Sequence, residues 1–185
     1  MKGIKKKTVL TDEGIHEALD RMVSQMVADN PEMERLVLIG IRTGGAFLAD
    51  RIQKLLLDKI GISIPTGALD ITLYRDDWTR INHKPIVGKT EVPVCLDDKI
   101  ILLVDDVLYT GRTVRAAMDA LIDFGRPRRI SLAVLVDRGG RELPISADYS
   151  GIRLDTQSGE RVNVTFQEMG AQDQVIIENE TEVKN

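Results

Sequence analysis

The chain predicts an α/β fold: a central, mostly parallel sheet flanked by helices, with a flexible flap and a small C-terminal β region. Three observations carry this. Short apolar runs near residues 36–41, 99–104 and 130–136 have the unbroken branched character of strands buried on both faces. Segments with apolar residues at helical spacing lie between them. Strands that alternate with helices favour parallel pairing through right-handed crossovers. A length of 185 residues fits a single domain spanning 1–185, with no repeat, low-complexity segment or linker inside it.

The elements follow in order. Thr11 or Asp12 can cap a first helix, in which Ile15, Leu19, Met22, Val23 and Met26 share one face. Asn30-Pro31 ends it. Leu36 to Ile41 is the first buried strand, Arg42-Thr-Gly-Gly45 a turn, and Ala46 to Asp58 a helix. Ala68 to Tyr74 carries a strand signal. Residues 75–98 are polar around Trp78 and broken by Pro85, Gly88 and Pro93, which predicts a long loop or a hairpin excursion, of a length often functional in compact domains. Lys99 to Val104 is a buried strand, Arg112 to Phe124 a helix closed by Gly125, and Ile130 to Val136 another buried strand. Val162 to Phe166 and Gln174 to Ile177 read as late strands.

Composition narrows the class. Hydrophobics at 43% exclude a disordered chain, and no apolar run approaches the ~18 residues of a membrane span. The opening Met1-Lys-Gly-Ile-Lys-Lys-Lys7 lacks the apolar stretch of a signal peptide and reads as a frayed, solvated end, so a cytoplasmic location is expected. Cys95 is the single cysteine, which excludes a disulfide framework; with two histidines it also excludes a Cys/His zinc cluster. The net charge of −4 is unlike a wholesale polyanion binder, so nucleic acid would need a local patch. Residues 126–141 supply one: Arg126, Arg128, Arg129, Arg138 and Arg141 against Asp137.

Val104-Asp-Asp-Val-Leu-Tyr-Thr-Gly-Arg-Thr113 joins a buried strand to a helix. In open α/β sheets ligands sit at the carboxyl ends of strands, and a helix N-terminus offers free amides to a phosphate. Thr110 and Thr113 add hydroxyl donors. Asp105 and Asp106 would repel a phosphate directly, but they suit sugar hydroxyls, or a magnesium that also touches phosphate. The loop is built for a sugar phosphate. Other phosphate motifs fail: no strand precedes Gly88-Lys-Thr90, and no strand leads into a Gly-x-Gly-x-x-Gly turn.

Those ten residues resemble the 5-phosphoribosyl-1-pyrophosphate (PRPP) signature of type I phosphoribosyltransferases. With Asp70 to Asp77 and Ala133-Val-Leu-Val-Asp-Arg-Gly-Gly-Arg-Glu-Leu-Pro144, the chain is similar to the pyrimidine operon regulatory protein/uracil phosphoribosyltransferase family along nearly its whole length. The resemblance implies a type I phosphoribosyltransferase fold and conversion of uracil and PRPP to UMP and pyrophosphate with Mg2+. It assigns Asp105, Asp106, Val107, Leu108, Tyr109, Thr110, Gly111, Arg112 and Thr113 to the ribose 5-phosphate. Asp105 and Asp106 are the catalytic pair and bear on the metal largely through substrate. Arg42, Thr43, Gly44 and Gly45 become the pyrophosphate loop. Val136, Asp137, Arg138 and Val162 become uracil and UMP contacts. Arg75, Asp76, Asp77 and Arg80 lie on the flap, whose closure would exclude water.

The same resemblance implies UMP-dependent binding of the pyrimidine (pyr) operon mRNA leader by a homodimer or higher oligomer, with Arg126, Arg128, Arg129 and Arg141 as contacts to phosphates. The chain departs from the pattern at four positions. Gly44 stands where the family often has Arg, Gly140 where RNA-binding members commonly have His, and Ser146 and Ile152 where they often carry basic residues. Three readings stay open: the enzyme with regulation, a regulator with vestigial catalysis, and a phosphoribosyltransferase without RNA binding or for another base.

Overall fold

The computed structural model describes residues 2–74, 89–157 and 159–182. Two sheets organise them. The larger is fully parallel, in the order β3 (Thr66–Leu69), β2 (Leu36–Ile41), β4 (Ile100–Leu108), β5 (Arg129–Asp137), β6 (Tyr149–Arg153). The smaller is antiparallel, in the order β1 (Lys2–Leu10), β8 (Gln174–Glu182), β7 (Glu160–Thr165). The α/β class and the C-terminal β region are both present.

Each face of the parallel sheet is covered for a reason visible in the strand residues. On one side Leu36, Leu38, Ile100, Leu102, Val104, Ala133 and Leu135 pack against α1 (Asp12–Asp29) and α2 (Gly44–Ile60). On the other, Val37, Ile39, Ile41, Ile101, Leu103, Leu132 and Val134 pack against α3 (Arg112–Ile122). Alternate residues of one strand thus enter opposite cores, which is why the runs are unbroken rather than alternating. Thr11 caps α1, its hydroxyl accepting from the Gly14 N–H, and Asn30 closes it.

The structure corrects four sequence readings. The strand expected at 68–74 ends at Leu69: the Asp70 carboxylate accepts from the Thr72 N–H (2.7 Å) and hydroxyl (2.5 Å), turning the chain away. β4 runs to Leu108 because β5 supplies partners beyond Val104, with Asp105 opposite Val134 and Leu108 opposite Asp137. β6 went unread: only Tyr149 and Gly151 of its five residues are buried, so no apolar run marks it. The N-terminal lysines do not fray. They lie on β1, with Lys7 opposite Ile177, and Lys6 reaches Glu178 at 2.8 Å. Lysine is tolerated there because β1 is an edge strand.

No helix among the described residues is long and apolar enough to cross a membrane.

Candidate active site

β2 and β4 are neighbours, yet the helices that follow them leave on opposite faces, α2 on one and α3 on the other. That is a topological switch point, where the loops diverge and leave a crevice at the strand carboxyl ends. Two predicted segments meet there, Arg42-Thr-Gly-Gly45 after β2 and Asp105 to Thr113 at the end of β4.

Their contact is close. A Cβ at Gly44 would overlap the Asp106 carboxylate, and one at Gly45 would overlap the Val104 carbonyl oxygen and stand 3.0 Å from the Asp105 Cα. Only glycines let the turn lie against the acid pair. An arginine at position 44 would require Asp106 to move, so Gly44 and this placement of Asp106 belong together. The Arg42–Thr43 peptide is cis. Arg42 and Thr43 are exposed, and the Arg42 Nε donates to the Lys89 carbonyl at 2.7 Å.

Asp105 is 6% exposed, and Asp106 is half-buried beside it. Burial, and then the neighbouring Asp106 charge, push the Asp105 carboxyl well above the usual carboxylate range. Burial also raises Asp106, opposed by the Val107 N–H that donates to it at 2.9 Å. Asp105 in turn accepts from the Asp106 N–H at 3.0 Å. Carboxylates raised in this way gain from a nearby cation or from hydroxyl donors, either of which favours their charged form. Among the described residues no cluster of three His, Cys, Asp or Glu could hold a metal alone. The donor set fits a hard divalent cation only if the ligand's own oxygens complete its shell.

Beyond the acids, Tyr109 is exposed and Thr110 half-buried. Gly111, the N-cap of α3, has no side chain to bond the first-turn amides beyond Arg112, leaving them for an anion. The Thr110 hydroxyl accepts from the Arg112 N–H at 3.3 Å, and Arg112 pairs with Glu142 at 2.7 Å. Thr113 lies in the first turn of α3, half-buried.

The segment expected to meet the base ends β5 beside this loop. Val136 is buried in the sheet. Arg138 stacks its guanidinium 4.0 Å from the Tyr109 ring centroid, and it donates to the Thr156 hydroxyl (3.2 Å) and the Glu160 carbonyl (2.9 Å). Arg138 thereby reaches the start of β7, the strand that carries Val162. Asp137 accepts from Arg141 (2.5 Å) and the Gly139 N–H (3.1 Å). Burial acts to raise its pKa, but those hydrogen bonds and the charges of Arg141 and Arg153 outweigh it and hold Asp137 below its ordinary value.

The arginine stretch 126–141 divides in two. Arg126, Arg128 and Arg129 lie at the start of β5 and Arg138 and Arg141 past its end, roughly 26 Å apart along the strand. Arg128 pairs with Glu32 at 3.1 Å, and Arg129 bonds the Asn30 side-chain oxygen. Arg141 turns inward, donating to the carbonyls of Tyr109 (2.8 Å), Gly139 (3.1 Å) and Ile145 (2.9 Å) as well as to Asp137. Ile152, at a position expected to be basic, packs against the core under α1 and α2. Arg75, Asp76, Asp77 and Arg80 of the flap lie outside the described residues.

Sequence reading missed several supporting groups: Glu142 beneath Arg112, Thr156 beneath Arg138, and Arg51 of α2, which bonds Glu168 and Asp173. Each partner is 18 or more residues distant in sequence, so no local motif marks it.

The chain matches known proteins in sequence and in fold. The phosphoribosyl transferase domain family matches residues 7–173. The chain is 50% identical over 178 residues to "Bifunctional protein PyrR" of Syntrophobacter fumaroxidans, covering 96% of each chain. It is 53% identical over 170 residues to the protein of that name from Deinococcus deserti, covering 92% of this chain and 93% of that one. Among solved structures, a hypoxanthine phosphoribosyl transferase of Trypanosoma cruzi superposes with a TM-score of 0.70 at 19% identity, over 92% of this chain and 90% of that one. A hypoxanthine phosphoribosyltransferase of Staphylococcus aureus gives 0.67 at 19% identity, over 91% and 90%.

Proposed function

The chain belongs to the phosphoribosyltransferase family, among the bifunctional PyrR proteins, and from that premise we propose that it makes UMP from uracil and PRPP and regulates pyrimidine biosynthesis genes. The observation that carries the reading is the apposition of Gly44-Gly45 and Asp105-Asp106 at a switch point, in a chain that matches PyrR proteins along nearly its whole length.

In the reaction the uracil N1–C1 bond forms, the C1–oxygen bond to pyrophosphate breaks, and the N1 proton passes to water. C1 becomes cation-like as pyrophosphate leaves, so catalysis consists mainly of positioning and of stabilising the leaving group. Asp105 and Asp106 accept from the ribose hydroxyls and fix C1. The uncapped first turn of α3, with Thr110 and Thr113, holds the 5-phosphate. Arg42 and the amides of Thr43, Gly44 and Gly45 receive the pyrophosphate, Gly44 supplying no side chain to it. The end of β5 (Val136, Asp137 and Arg138) and Val162 of β7 hold the base. Mg2+, when bound, neutralises pyrophosphate charge, and Asp105 and Asp106 are the residues that would hold it together with substrate oxygens.

Regulation takes the form of UMP-dependent binding of the pyr mRNA leader by a dimer or higher oligomer in the cytoplasm. Of the four arginines assigned to it, Arg126 is the one whose side chain forms no hydrogen bond or ion pair among the described residues, while Arg141 is half-buried and folds back onto its own loop.

The test is a PRPP-dependent assay with uracil, hypoxanthine and guanine in competition. Uracil is consumed, and Asp106→Ala abolishes turnover. Normal turnover by Asp106→Ala, or consumption of a purine instead, overturns the assignment. Labelled leader RNA, with and without UMP, tests regulation: equal affinity for unrelated RNA of the same length counts against it.

A further inference from the structure

Among the described residues, the side-chain hydrogen bonds from the helix that carries the pyrophosphate loop to the second sheet all come from one residue. Arg51 lies seven residues beyond Gly44 on α2. Its guanidinium donates to Glu168 at 2.8 and 2.6 Å and to Asp173 at 2.5 and 3.0 Å, and it lies 4.8 Å from the Phe166 ring centroid. Asp173 is 2% exposed and also accepts from the Gln167 N–H at 2.6 Å. Phe166 is fully buried. These partners form the connection between β7 and β8.

The other end of β7 is held differently, by Arg138 reaching the Glu160 carbonyl from the end of β5. Val162 lies between the two fastenings. The strand offered to the base is therefore pinned at its start to the base loop and past its end to α2. The Arg138 pin also stacks on Tyr109, but the Arg51 pin touches none of the residues assigned to PRPP, since β2, β4 and the starts of α2 and α3 pack within the parallel-sheet layers.

We propose that Arg51 is a positioning residue that sets the base-facing strand β7 at its working distance from the pyrophosphate loop, and so governs base binding selectively. This rests on the phosphoribosyltransferase reading above. The bond being made joins a base held partly by β7 to a carbon held by the parallel sheet, and a displacement of about 1 Å between two such groups can cost on the order of 100-fold in rate. A bidentate guanidinium between two carboxylates suits this task, because its planar fork fixes direction as well as distance.

The test compares the full-length wild type with Arg51→Lys, Arg51→Met and the double variant Arg51→Met/Asp173→Asn. The double variant removes the buried charge that Arg51→Met alone would strand, and so keeps the fold testable. Steady-state kinetics are read separately for the base and for PRPP, alongside the melting temperature. The expected result for the double variant is a tenfold or greater rise in the KM for the base with a fall in kcat, while the KM for PRPP stays within about threefold. Arg51→Lys, which keeps the charge but loses the fork, falls between it and wild type. A lowered melting temperature with both KM values unchanged makes the clamp structural only and overturns the proposal, as does an equal rise in both KM values. Whichever base the wild type consumes serves in the assay, so a wrong base assignment and a wrong role for Arg51 give different results.

Discussion

Adding one methyl group at Gly140, and separately at its neighbour Gly139, isolates the contribution of the Tyr109–Arg138 stack. Both glycines have φ near +69°, so alanine at either incurs the left-handed penalty of about 1–2 kcal/mol. They differ in what surrounds them. A Cβ at Gly139 meets nothing within 4 Å. A Cβ at Gly140 would overlap the Tyr109 ring edge at Cε2 and stand 3.0 Å from Cδ2, so the ring must swing off the Arg138 guanidinium. Losing an exposed cation–π contact costs about 0.5–1 kcal/mol more. For a chain of this size that difference corresponds to roughly 1–4 °C in Tm, Gly140→Ala melting below Gly139→Ala. Urea unfolding of the ligand-free variants, followed by circular dichroism, measures the same gap as a free energy. Because Tyr109 lies in the loop proposed to bind PRPP, Gly140→Ala should also raise the KM for PRPP more than Gly139→Ala does. Equal destabilisation of the two variants, or a greater loss at Gly139, would refute the reasoning.

Two further outcomes follow from the charges. The Asp137 pKa is lowered in the folded chain, so its contribution to stability is complete above the unfolded value of about 4 and is lost as pH falls through the lower folded value. Asp137→Asn should therefore be less stable than wild type at pH 6, with the gap closing below about pH 4; a gap that is constant with pH would contradict this. Lys6→Glu sets two like charges in contact on the edge of the second sheet, where Lys6 now pairs with Glu178. Faster amide exchange in β1 is expected at low salt, recovering in about 1 M salt where the Debye length falls to roughly 3 Å; unchanged exchange at low salt would show that the pair does not support the strand.

How much of this was legible in the sequence depends on range. Leu36 to Ile41 and Ile130 to Val136 announce themselves because burial on both faces demands unbroken apolar runs, and Asp105 to Thr113 is legible because ligand chemistry compresses its donors into one strand-end loop. The edges of the fold are less legible. β1 and β6 carry no such run, since β1 is lysine-rich at a sheet edge and β6 alternates buried with partly exposed residues. The exit of the chain at Asp70 rests on the hydrogen bonds of one carboxylate to Thr72. Arg51 could not be found at all: its partners lie 117 and 122 residues away, and nothing in its own helix distinguishes it from other surface arginines. Arginines that look alike in a row, such as Arg138 and Arg141, acquire opposite uses once the strand end fixes their directions: Arg138 reaches across to β7, and Arg141 folds back on its own loop.

The pairing of β1 with β8 has a consequence for how the protein comes off the ribosome. Every strand of the parallel sheet lies between residues 36 and 153, so that layer can assemble while the C-terminal tail is still being made. The second sheet cannot, because Lys7 must wait for Ile177 across 170 residues of chain. Contacts of such long separation form late. A nascent chain therefore completes the loops after β2 and β4 before β7 gains its partner, and a message truncated before codon 174 would yield a protein with the Asp105–Thr113 loop built and β7 lacking the neighbour that holds it.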